Sequence, residues 1–280
     1  MKTYATSKDI NSHIGTLRNE GKTIGFVPTM GALHKGHLSL VELCKKDCDI
    51  TVVSIFVNPT QFNDKGDLQR YPHMPETDSK LLEEAGCGIL FLPGEQEIYP
   101  KPDTRVFDFG QLDKVMEGVH RPGHFNGVAQ VVSRLFNIIT PDKAFFGLKD
   151  FQQLAIIREM VKQLQFRVEI IAVPIVRDTD GLALSSRNML LNEAQRKMAP
   201  LIAKTLFEAQ KKAAKLSVSV VKQWVIDTVN RSSELSVEYF DIVDSLSLQP
   251  VQSWDDAGQI FGCIAVRVGN IRLIDNVRLS

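Results

Sequence analysis

The chain has 280 residues, 33 basic and 33 acidic side chains, 44% hydrophobic residues and 24% charged residues. These values are close to those of soluble globular proteins and exclude a disordered, collagen-like or disulfide-stapled chain. The balanced charge disfavours nucleic acid and anionic membranes as partners, because proteins that bind them usually carry a basic excess.

Two further classes of protein are disfavoured by the sequence. No apolar stretch approaches the length of a membrane span, and the first 19 residues lack the apolar segment of a signal peptide. The four cysteines are too few for a disulfide framework and offer no second ligand pair for a structural zinc ion. We therefore expect a cytoplasmic protein with reduced thiols.

Apolar, β-branched runs alternate with helical patterns through the first two-thirds of the chain. The predicted strands are 23–28, 50–57, 89–92, 144–146 and 168–173, and the predicted helices are 36–46, 76–84, 128–139 and 151–163. Continuous apolar strands separated by helices are typical of βαβ units. The pattern therefore predicts an α/β domain with a parallel sheet covered on both faces.

The pattern changes after the turn-rich residues 178–181. A long helical stretch (192 to about 216) and a second helix (218–229) precede three strands, 237–243, 262–268 and 271–274. Gly269 and Asn270, between the last two strands, predict a two-residue hairpin turn. We therefore expect two domains, residues 1–180 and a smaller α+β domain with an antiparallel sheet, residues 181–280.

Two histidines at a predicted helix start provide the first chemical signal. The run FVPTMGALHKGHLSL (26–40) joins a strand, a small-residue turn and a helix that begins near His34 and His37. Free N–H groups and the helix dipole favour phosphate there, Gly36 permits close approach, and two imidazoles can donate to phosphoryl oxygens. The alternative is a pair of histidines that only caps the helix. The tetrad HKGH (34–37) resembles the nucleotide-binding signature of class I aminoacyl-tRNA synthetases and nucleotidyltransferases.

Two further runs place polar residues beside predicted strands or helices. FVNPTQF (56–62) directly follows a buried strand, so Asn58 and Gln61 should lie at the carboxyl edge of the sheet, where open α/β folds bind ligands. Their amides suit a hydroxylated carboxylic acid, although an ordinary Asn-Pro turn is the alternative. In RPGHF (121–125), Arg121 and His124 flank a glycine turn that suits a phosphate-facing loop.

The last two runs carry charged and hydroxylated residues. FGLKDFQQL (146–154) leads from a strand through Gly147 to a helix start with Lys149, Asp150 and Gln153. Asp150 is expected either to cap the helix or to bind ribose hydroxyls. In LSSRN (184–188), two hydroxyls and a guanidinium suit a polyphosphate.

Together the five runs, in this order, closely resemble the pantoate–β-alanine ligase family over essentially the whole chain. The resemblance implies a Rossmann-like domain, a homodimer and two reaction steps that use ATP with Mg²⁺, pantoate and β-alanine. The first step forms pantoyl adenylate and pyrophosphate, and the second releases AMP and pantothenate.

The resemblance also implies roles for individual residues. The catalytic residues are His37 as proton donor, with His34, Lys149 and Arg187. Residues around ATP are Met30, Gly31, His34, Gly36, His37, Gly147, Lys149, Asp150, Val176, Leu184, Ser185, Ser186 and Arg187. Gln61 and Gln153 would hold pantoate, with Gln61 also facing β-alanine and Asn58 beside them. No protein ligand of Mg²⁺ is implied, because the phosphates would hold it.

Three positions depart from the family's pattern, and three rival functions remain open. His73, Asn126 and Leu148 stand where arginine, a basic residue and an acidic residue are usual. The rivals are a nucleotidyltransferase that makes a dinucleotide or nucleotidylated cofactor, a truncated tRNA synthetase, and a nucleotide-binding regulatory module without turnover. A nucleotidyltransferase gives no reason for FVNPTQF, and the chain lacks the basic anticodon-binding region expected of a tRNA synthetase. A regulatory module gives no reason for Gln61 and Gln153.

Overall fold

A computed structural model describes residues 1–63 and 65–280. They form two compact units. The first unit comprises Met1–Phe109, Arg121–Leu148 and Ile156–Pro174, and the second comprises Gly110–His120, Lys149–Ala155 and Ile175–Ser280. The second unit thus includes two separate earlier segments and the residues from Ile175 onward, and the division expected at residue 180 stays a prediction. Within the described chain, no helix combines the length and apolar character needed to cross a membrane.

Nine strands and eleven α-helices make up the regular structure of the described residues. The strands are β1 (Lys2–Tyr4), β2 (Ile24–Thr29), β3 (Ile50–Ile55), β4 (Ile89–Phe91), β5 (Lys143–Gly147), β6 (Glu169–Val173), β7 (Leu235–Asp244), β8 (Ile260–Val268) and β9 (Ile271–Arg278). The helices are α1 (Ser7–Asn19), α2 (Lys35–Asp47), α3 (Lys65–Arg70), α4 (Pro75–Glu84), α5 (Glu95–Ile98), α6 (Met116–His120), α7 (His124–Ile139), α8 (Phe151–Gln163), α9 (Glu193–Met198), α10 (Pro200–Ala213) and α11 (Val218–Asn230).

The first unit is built on a six-stranded sheet in the order β1-β4-β3-β2-β5-β6. All neighbouring strands are parallel. The inner strands β2, β3 and β4 are almost wholly buried, as expected when helices cover a parallel sheet. β3 and β5 lie on opposite sides of β2, so the strand order reverses at this point of the sheet. Open α/β sheets bind ligands at such a point, at the loops that follow β2, β3 and β5.

The second unit contains an antiparallel sheet in the order β7-β8-β9. Gly269 turns the β8–β9 hairpin with a φ of +58°, a conformation that glycine adopts without steric cost. Apolar residues of α10, α11 and the three strands form its core, among them Leu206, Val225 and Ile264. The predicted fold, a parallel α/β sheet with a smaller antiparallel sheet, is therefore confirmed.

The structure differs from the predicted elements in several places. β1, α1 and the short helices α3, α5 and α6 were not predicted, and the helix expected from residue 128 begins at His124. The start of α1 did carry a local signal, since Thr6 caps it by accepting from the backbone N–H of Asp9. The single helix expected over 192–216 is two helices, because α9 ends at Met198 and Pro200 begins α10. Proline lacks an N–H and therefore starts a helix more readily than it continues one.

Candidate functional site

His34 and His37 form the start of α2 and are held together by backbone hydrogen bonds. The Nδ1 atom of His34 accepts from Gly36 N at 3.1 Å, and Nδ1 of His37 accepts from His34 N at 3.3 Å. The ring centroids are 4.1 Å apart. A ring nitrogen that accepts carries no proton, so this network assigns the proton of each neutral imidazole to Nε2. Two Nε2–H donors side by side can stabilise negative charge on a phosphoryl oxygen.

The turn between β2 and α2 precedes the helix start that was expected to meet phosphate. Most backbone N–H groups of this turn are bonded within the chain. Gly31 N donates to Thr29 Oγ1, and Ala32 N and Leu33 N donate to the two carboxylate oxygens of Asp78 at 2.8 and 2.7 Å. The side chains of His34 and His37 are therefore better placed than this backbone to meet a phosphate.

Asn58 and Gln61 lie in and beside the 3-10 turn Pro59–Gln61 that follows β3. Asn58 is 1% exposed, and its Nδ2 donates to Gln61 Oε1 and to Gly127 O, both at 3.1 Å. Its Oδ1 accepts from the hydroxyl of Tyr99 at 2.9 Å. The side-chain carbonyl of Gln61 is therefore occupied by Asn58. The NH₂ group of Gln61 points the other way and donates to Met30 Sδ at 3.2 Å. Asn58 thus fixes which end of the buried Gln61 amide points to Met30.

Helix α7 begins within the RPGHF run, and its first residues pack against the turn that carries Gln61. His124 is buried, and its Nδ1 lies 2.8 Å from Gln61 O. A Cβ at Gly127 would lie 2.5 Å from Thr60 O, so only glycine permits this approach of the backbone. The run that suggested a phosphate-facing loop therefore packs His124 against the Gln61 turn. Tyr99 had no recognisable signal in the sequence, since its partner lies 41 residues away.

In the second unit, the segment that follows β5 carries Lys149 and Asp150. The ammonium of Lys149 lies 3.3 Å from Asp150 Oδ1, and the two side chains are 18% and 44% exposed. Asn276 of β9, which is 3% exposed, donates from Nδ2 to Lys149 O at 3.1 Å. Gly147, in the first unit, ends β5 opposite Val173.

The segment with Val176, Leu184 and Ser185 is a short ladder. Leu184 N donates to Val176 O at 3.0 Å, and Arg177 and Ala183 form an antiparallel bridge. Ser185 then caps the 3-10 turn Ser186–Leu190, with its Oγ accepting from Arg187 N. These hydrogen bonds place residue 176 beside residue 184, so the predicted ATP residues 176 and 184–187 lie close together.

A buried ion pair holds the base of that ladder. Arg177 donates from Nη1 and Nη2 to the two carboxylate oxygens of Asp275, at 2.6 and 2.8 Å. Nη1 of Arg177 also donates to Gly181 O at 3.1 Å. The sequence offered no sign of this pair, whose members are 98 residues apart.

Gln152 and Gln153, neighbours in the first turn of α8, have different surroundings. Gln152 is 4% exposed, accepts from Glu117 N and donates to Leu112 O and Val115 O. Gln153 is half-buried. Gln152 is thus a structural anchor for the segment before α6, and Gln153 is the glutamine that remains accessible to a ligand.

One of the departures from the family's pattern has a structural account. Asn126 accepts from Phe107 N at 2.9 Å and donates to Arg105 O at 3.1 Å, so it pins the preceding extended segment. Leu148 donates only its backbone N–H, to Val173 O, and His73 lies in the loop before α4. Nothing in the structure explains the identity of these two residues.

The four cysteines are free and buried, and the pKa values of their thiols disfavour reactivity. Burial raises the pKa of the Cys44 thiol to about 12 and that of Cys87 to about 11, so both stay protonated near neutral pH. Among the residues that the model describes, no three His, Cys, Asp or Glu side chains cluster so as to hold a metal ion.

Comparison with known proteins places this geometry in a family. A family model described as pantoate–β-alanine ligase matches residues 2–278. Pantothenate synthetases of Porphyromonas gingivalis and Bacteroides thetaiotaomicron are each 52% identical over 278 residues, covering 99% of both chains.

Solved structures agree with the sequence relatives. The pantothenate synthetase of Thermus thermophilus has a TM-score of 0.94 and 41% identity, with both chains covered in full. The pantoate–β-alanine ligase of Francisella tularensis, solved with β,γ-ATP and β-alanine, has a TM-score of 0.83 and 34% identity, with 99% of this chain and 97% of that chain covered. The chain belongs to the pantoate–β-alanine ligase family.

Proposed function

We propose that this protein joins pantoate to β-alanine with ATP and forms pantothenate, AMP and pyrophosphate. The family match over residues 2–278 carries this assignment, and the relatives that share half of its sequence carry the same activity in their names. The enzyme is thus a ligase of the AMP-forming kind.

The reaction follows from the weakness of a carboxylate as an acyl donor. A pantoate oxygen attacks the α-phosphorus of ATP, the bond to the β-phosphate oxygen breaks, and pyrophosphate leaves. The amine of β-alanine then attacks the acyl carbon of pantoyl adenylate and loses a proton, and the bond to AMP breaks. In-line displacement at phosphorus depends on positioning and charge stabilisation, so the protein needs well-placed donors.

We assign the charge stabilisation of the first step to the two histidines. Their Nε2–H groups act as neutral donors to phosphoryl oxygens, and His37 supplies the proton donor that the family's pattern implies. Met30, Gly31 and Gly36, in or beside the same turn, and Gly147 at the end of β5 are assigned to the nucleotide.

Residues of the second unit are assigned to the phosphates and the ribose. Lys149, Ser185, Ser186 and Arg187 supply positive charge and hydroxyls for the phosphates. Asp150 is assigned to the ribose hydroxyls, and Val176 and Leu184 to the remaining nucleotide contacts.

Pantoate is assigned to neutral amides. The NH₂ group of Gln61, fixed by Asn58, and the half-buried Gln153 bind the acid. Neutral donors suit this task because the acid must react through its carboxylate. A guanidinium clamp would stabilise that carboxylate in the ground state and weaken it as a nucleophile.

Mg²⁺, the assembly and the compartment complete the proposal. Mg²⁺ enters as part of the ATP substrate, with phosphate oxygens as its ligands. We propose a homodimer in the cytoplasm, which light scattering of the purified protein and fractionation of the source cells would test.

A two-stage assay tests the function. ATP and pantoate alone should release pyrophosphate in one turnover per site, and AMP should appear when β-alanine is added. A nucleotidyltransferase would need a nucleotide or cofactor acceptor, a tRNA synthetase would need an amino acid, and a regulatory module would release neither product. Absence of pantoate-dependent pyrophosphate release would overturn the proposal.

A further inference from the structure

The carboxylate of Asp78 lies beneath the turn that leads to His34 and His37. Asp78 is in the first turn of α4 and is 1% exposed. Its Oδ2 accepts from Ala32 N at 2.8 Å and its Oδ1 accepts from Leu33 N at 2.7 Å. One carboxylate therefore binds two consecutive N–H groups of the turn directly before His34.

This arrangement places a side-chain anion where a phosphate would otherwise bind. A turn from a parallel strand into a helix start presents N–H groups that favour an anion, and at this turn the chain supplies its own. The positive end of the α4 dipole stabilises the charge on Asp78. The turn is therefore organised before any nucleotide arrives.

The backbone of the turn needs this support. Gly31 has a φ of +83° and Ala32 a φ of +50°, and a non-glycine residue adopts the left-handed conformation at a cost. A Cβ at Gly31 would lie 2.9 Å from Asp78 Oδ2 and 3.1 Å from Ile55 Cγ2. Gly31 is thus required both by its φ and by the closeness of the carboxylate.

We infer that Asp78 is a positioning residue for adenylation, which holds His34 and His37 at the phosphates through the N–H groups of Ala32 and Leu33. Both carboxylate oxygens are used by the turn, so Asp78 acts on ATP through the histidines. The inference rests on the proposed function of these histidines. It predicts that loss of the carboxylate slows adenylation in molecules that remain folded.

Chemical rescue tests the inference. Asp78→Ala should slow single-turnover pyrophosphate release by roughly 10- to 100-fold, the factor expected for losing hydrogen bonds to a charged group. The cavity keeps the two N–H groups, so added formate should bind there and restore part of the rate saturably. Asp142→Ala is the matched control. Asp142 also accepts a backbone N–H, that of Ile24 at 2.7 Å, but at the opposite end of β2.

The outcomes separate positioning from general stabilisation. An unchanged adenylation rate per folded Asp78→Ala molecule would overturn the inference. So would formate that raises the melting temperature of Asp78→Ala without raising its rate, or an equal rate effect of formate on Asp142→Ala. If His37→Ala, measured in parallel, adenylates at the normal rate, then the assignment of the histidines has failed as well.

A second pair of variants serves if Asp78→Ala does not fold. Gly31→Ala and Gly21→Ala place alanine at similar φ values, +83° and +77°, but a Cβ at Gly21 meets nothing within 4 Å. Gly31→Ala should therefore slow adenylation at least tenfold more than Gly21→Ala does, a factor that corresponds to about 1.4 kcal/mol. Equal rates for the two folded variants would contradict a role of the Gly31–Asp78 contact in the reaction.

Discussion

The two units hold their candidate residues by different kinds of interaction. In the first unit, the turn with His34 and His37 is held by a buried carboxylate, Asp78, that accepts only neutral backbone N–H groups in the contacts described above. In the second unit, the ladder that leads to Ser185 is held by a buried ion pair, Arg177 with Asp275.

Because of this difference, substitutions in the two units should damage different properties, the reaction rate in one and the free energy of unfolding in the other. A carboxylate bound by backbone N–H groups controls the geometry of one turn, and its removal leaves dipoles that water or a small anion can satisfy. Removal of one member of a buried ion pair leaves a full charge without its partner, which costs much more stability. We therefore expect substitutions at Asp78 to affect mainly rate, and those at Asp275 to affect mainly stability.

The largest effect is expected for Asp275→Asn. This change leaves Arg177, 17% exposed, beside a neutral amide, and should lower the free energy of unfolding of the second unit by about 3–5 kcal/mol. Both tryptophans, Trp224 and Trp254, lie in the second unit, so urea unfolding followed by their fluorescence reports on it.

Arg267→Ala is the matched control for the ion pair. Arg267 pairs with Glu238 on the antiparallel sheet but is 51% exposed, so its loss should cost less than about 1 kcal/mol. Similar losses for Asp275→Asn and Arg267→Ala would contradict the contrast between the two units.

His37→Ala should have the next largest effect, on rate alone. Loss of one donor to a developing charge should slow pantoyl-adenylate formation by roughly 10²–10³-fold. Unfolding of the second unit should be unchanged, since His37 lies in the first unit. Single-turnover pyrophosphate release measures the rate, and a value near that of the unmodified enzyme would refute the role of His37.

Arg187→Ala should separate the two reaction steps. If Arg187 binds the β- and γ-phosphates, its loss should slow adenylation by about 10²-fold and leave β-alanine attack on preformed pantoyl adenylate nearly intact. An interaction assists only a step whose transition state contains its partner. Chemically made pantoyl adenylate supplied to the variant measures the second step, and an equal loss in both steps would contradict the pyrophosphate assignment.

Asp103 offers a pH-dependent test, because its side chain is an ion-paired carboxylate of the first unit that is only 2% exposed. Hydrogen bonds from Arg105 and Arg134 hold the pKa of this buried carboxyl well below its usual range. A lowered folded-state pKa contributes stability above the unfolded-state pKa, about 3.9, and this contribution is lost as pH falls through the folded-state value.

The expected contribution of Asp103 is about 2 kcal/mol at neutral pH, the scale of a salt-bridged carboxylate. Below roughly pH 4, Asp103→Asn should therefore lose less stability on acidification than the unmodified protein does. Urea unfolding at a series of pH values, followed by hydrogen exchange of first-unit peptides, measures this slope. Parallel slopes for the two proteins would contradict the assigned pKa shift.

Gln153→Ala should have the smallest effect. Loss of a hydrogen bond to the acid should raise the KM for pantoate by a factor that corresponds to about 0.5–1.5 kcal/mol, with ATP binding unchanged within a few-fold. Gln152→Ala, the neighbouring buried glutamine, should instead destabilise the second unit. Equal weakening of ATP and pantoate binding in Gln153→Ala, measured by calorimetry, would argue against a dedicated role in acid binding.

Local sequence patterns predicted much of the fold. The alternation of strands and helices predicted the parallel sheet, and Gly269 with Asn270 predicted the hairpin, because these signals lie within a few residues of the structure they specify. Pro200 was also a local signal, and its preference for a helix start accounts for the break between α9 and α10.

The residues that hold the candidate site residues in place could not be predicted, because their partners are distant in the chain. Asp78 and Leu33 are 45 residues apart, and Asn276 and Lys149 are 127 apart. Neither Asp78 nor Asn276 belongs to a run with recognisable spacing.

Periodicity, turn preference and motif spacing are properties of short segments, so the sequence was sufficient to predict the order of most elements, the two kinds of sheet and the runs that hold the candidate site residues. The tertiary contacts were needed to show that Asn58 faces inward and orients Gln61, and that Nδ1 of His34 and of His37 accepts a backbone N–H. They also show that Asp78 binds two N–H groups of the turn that precedes the helix start. Burial and hydrogen-bond partners depend on segments that folding brings together, and no local pattern encodes them.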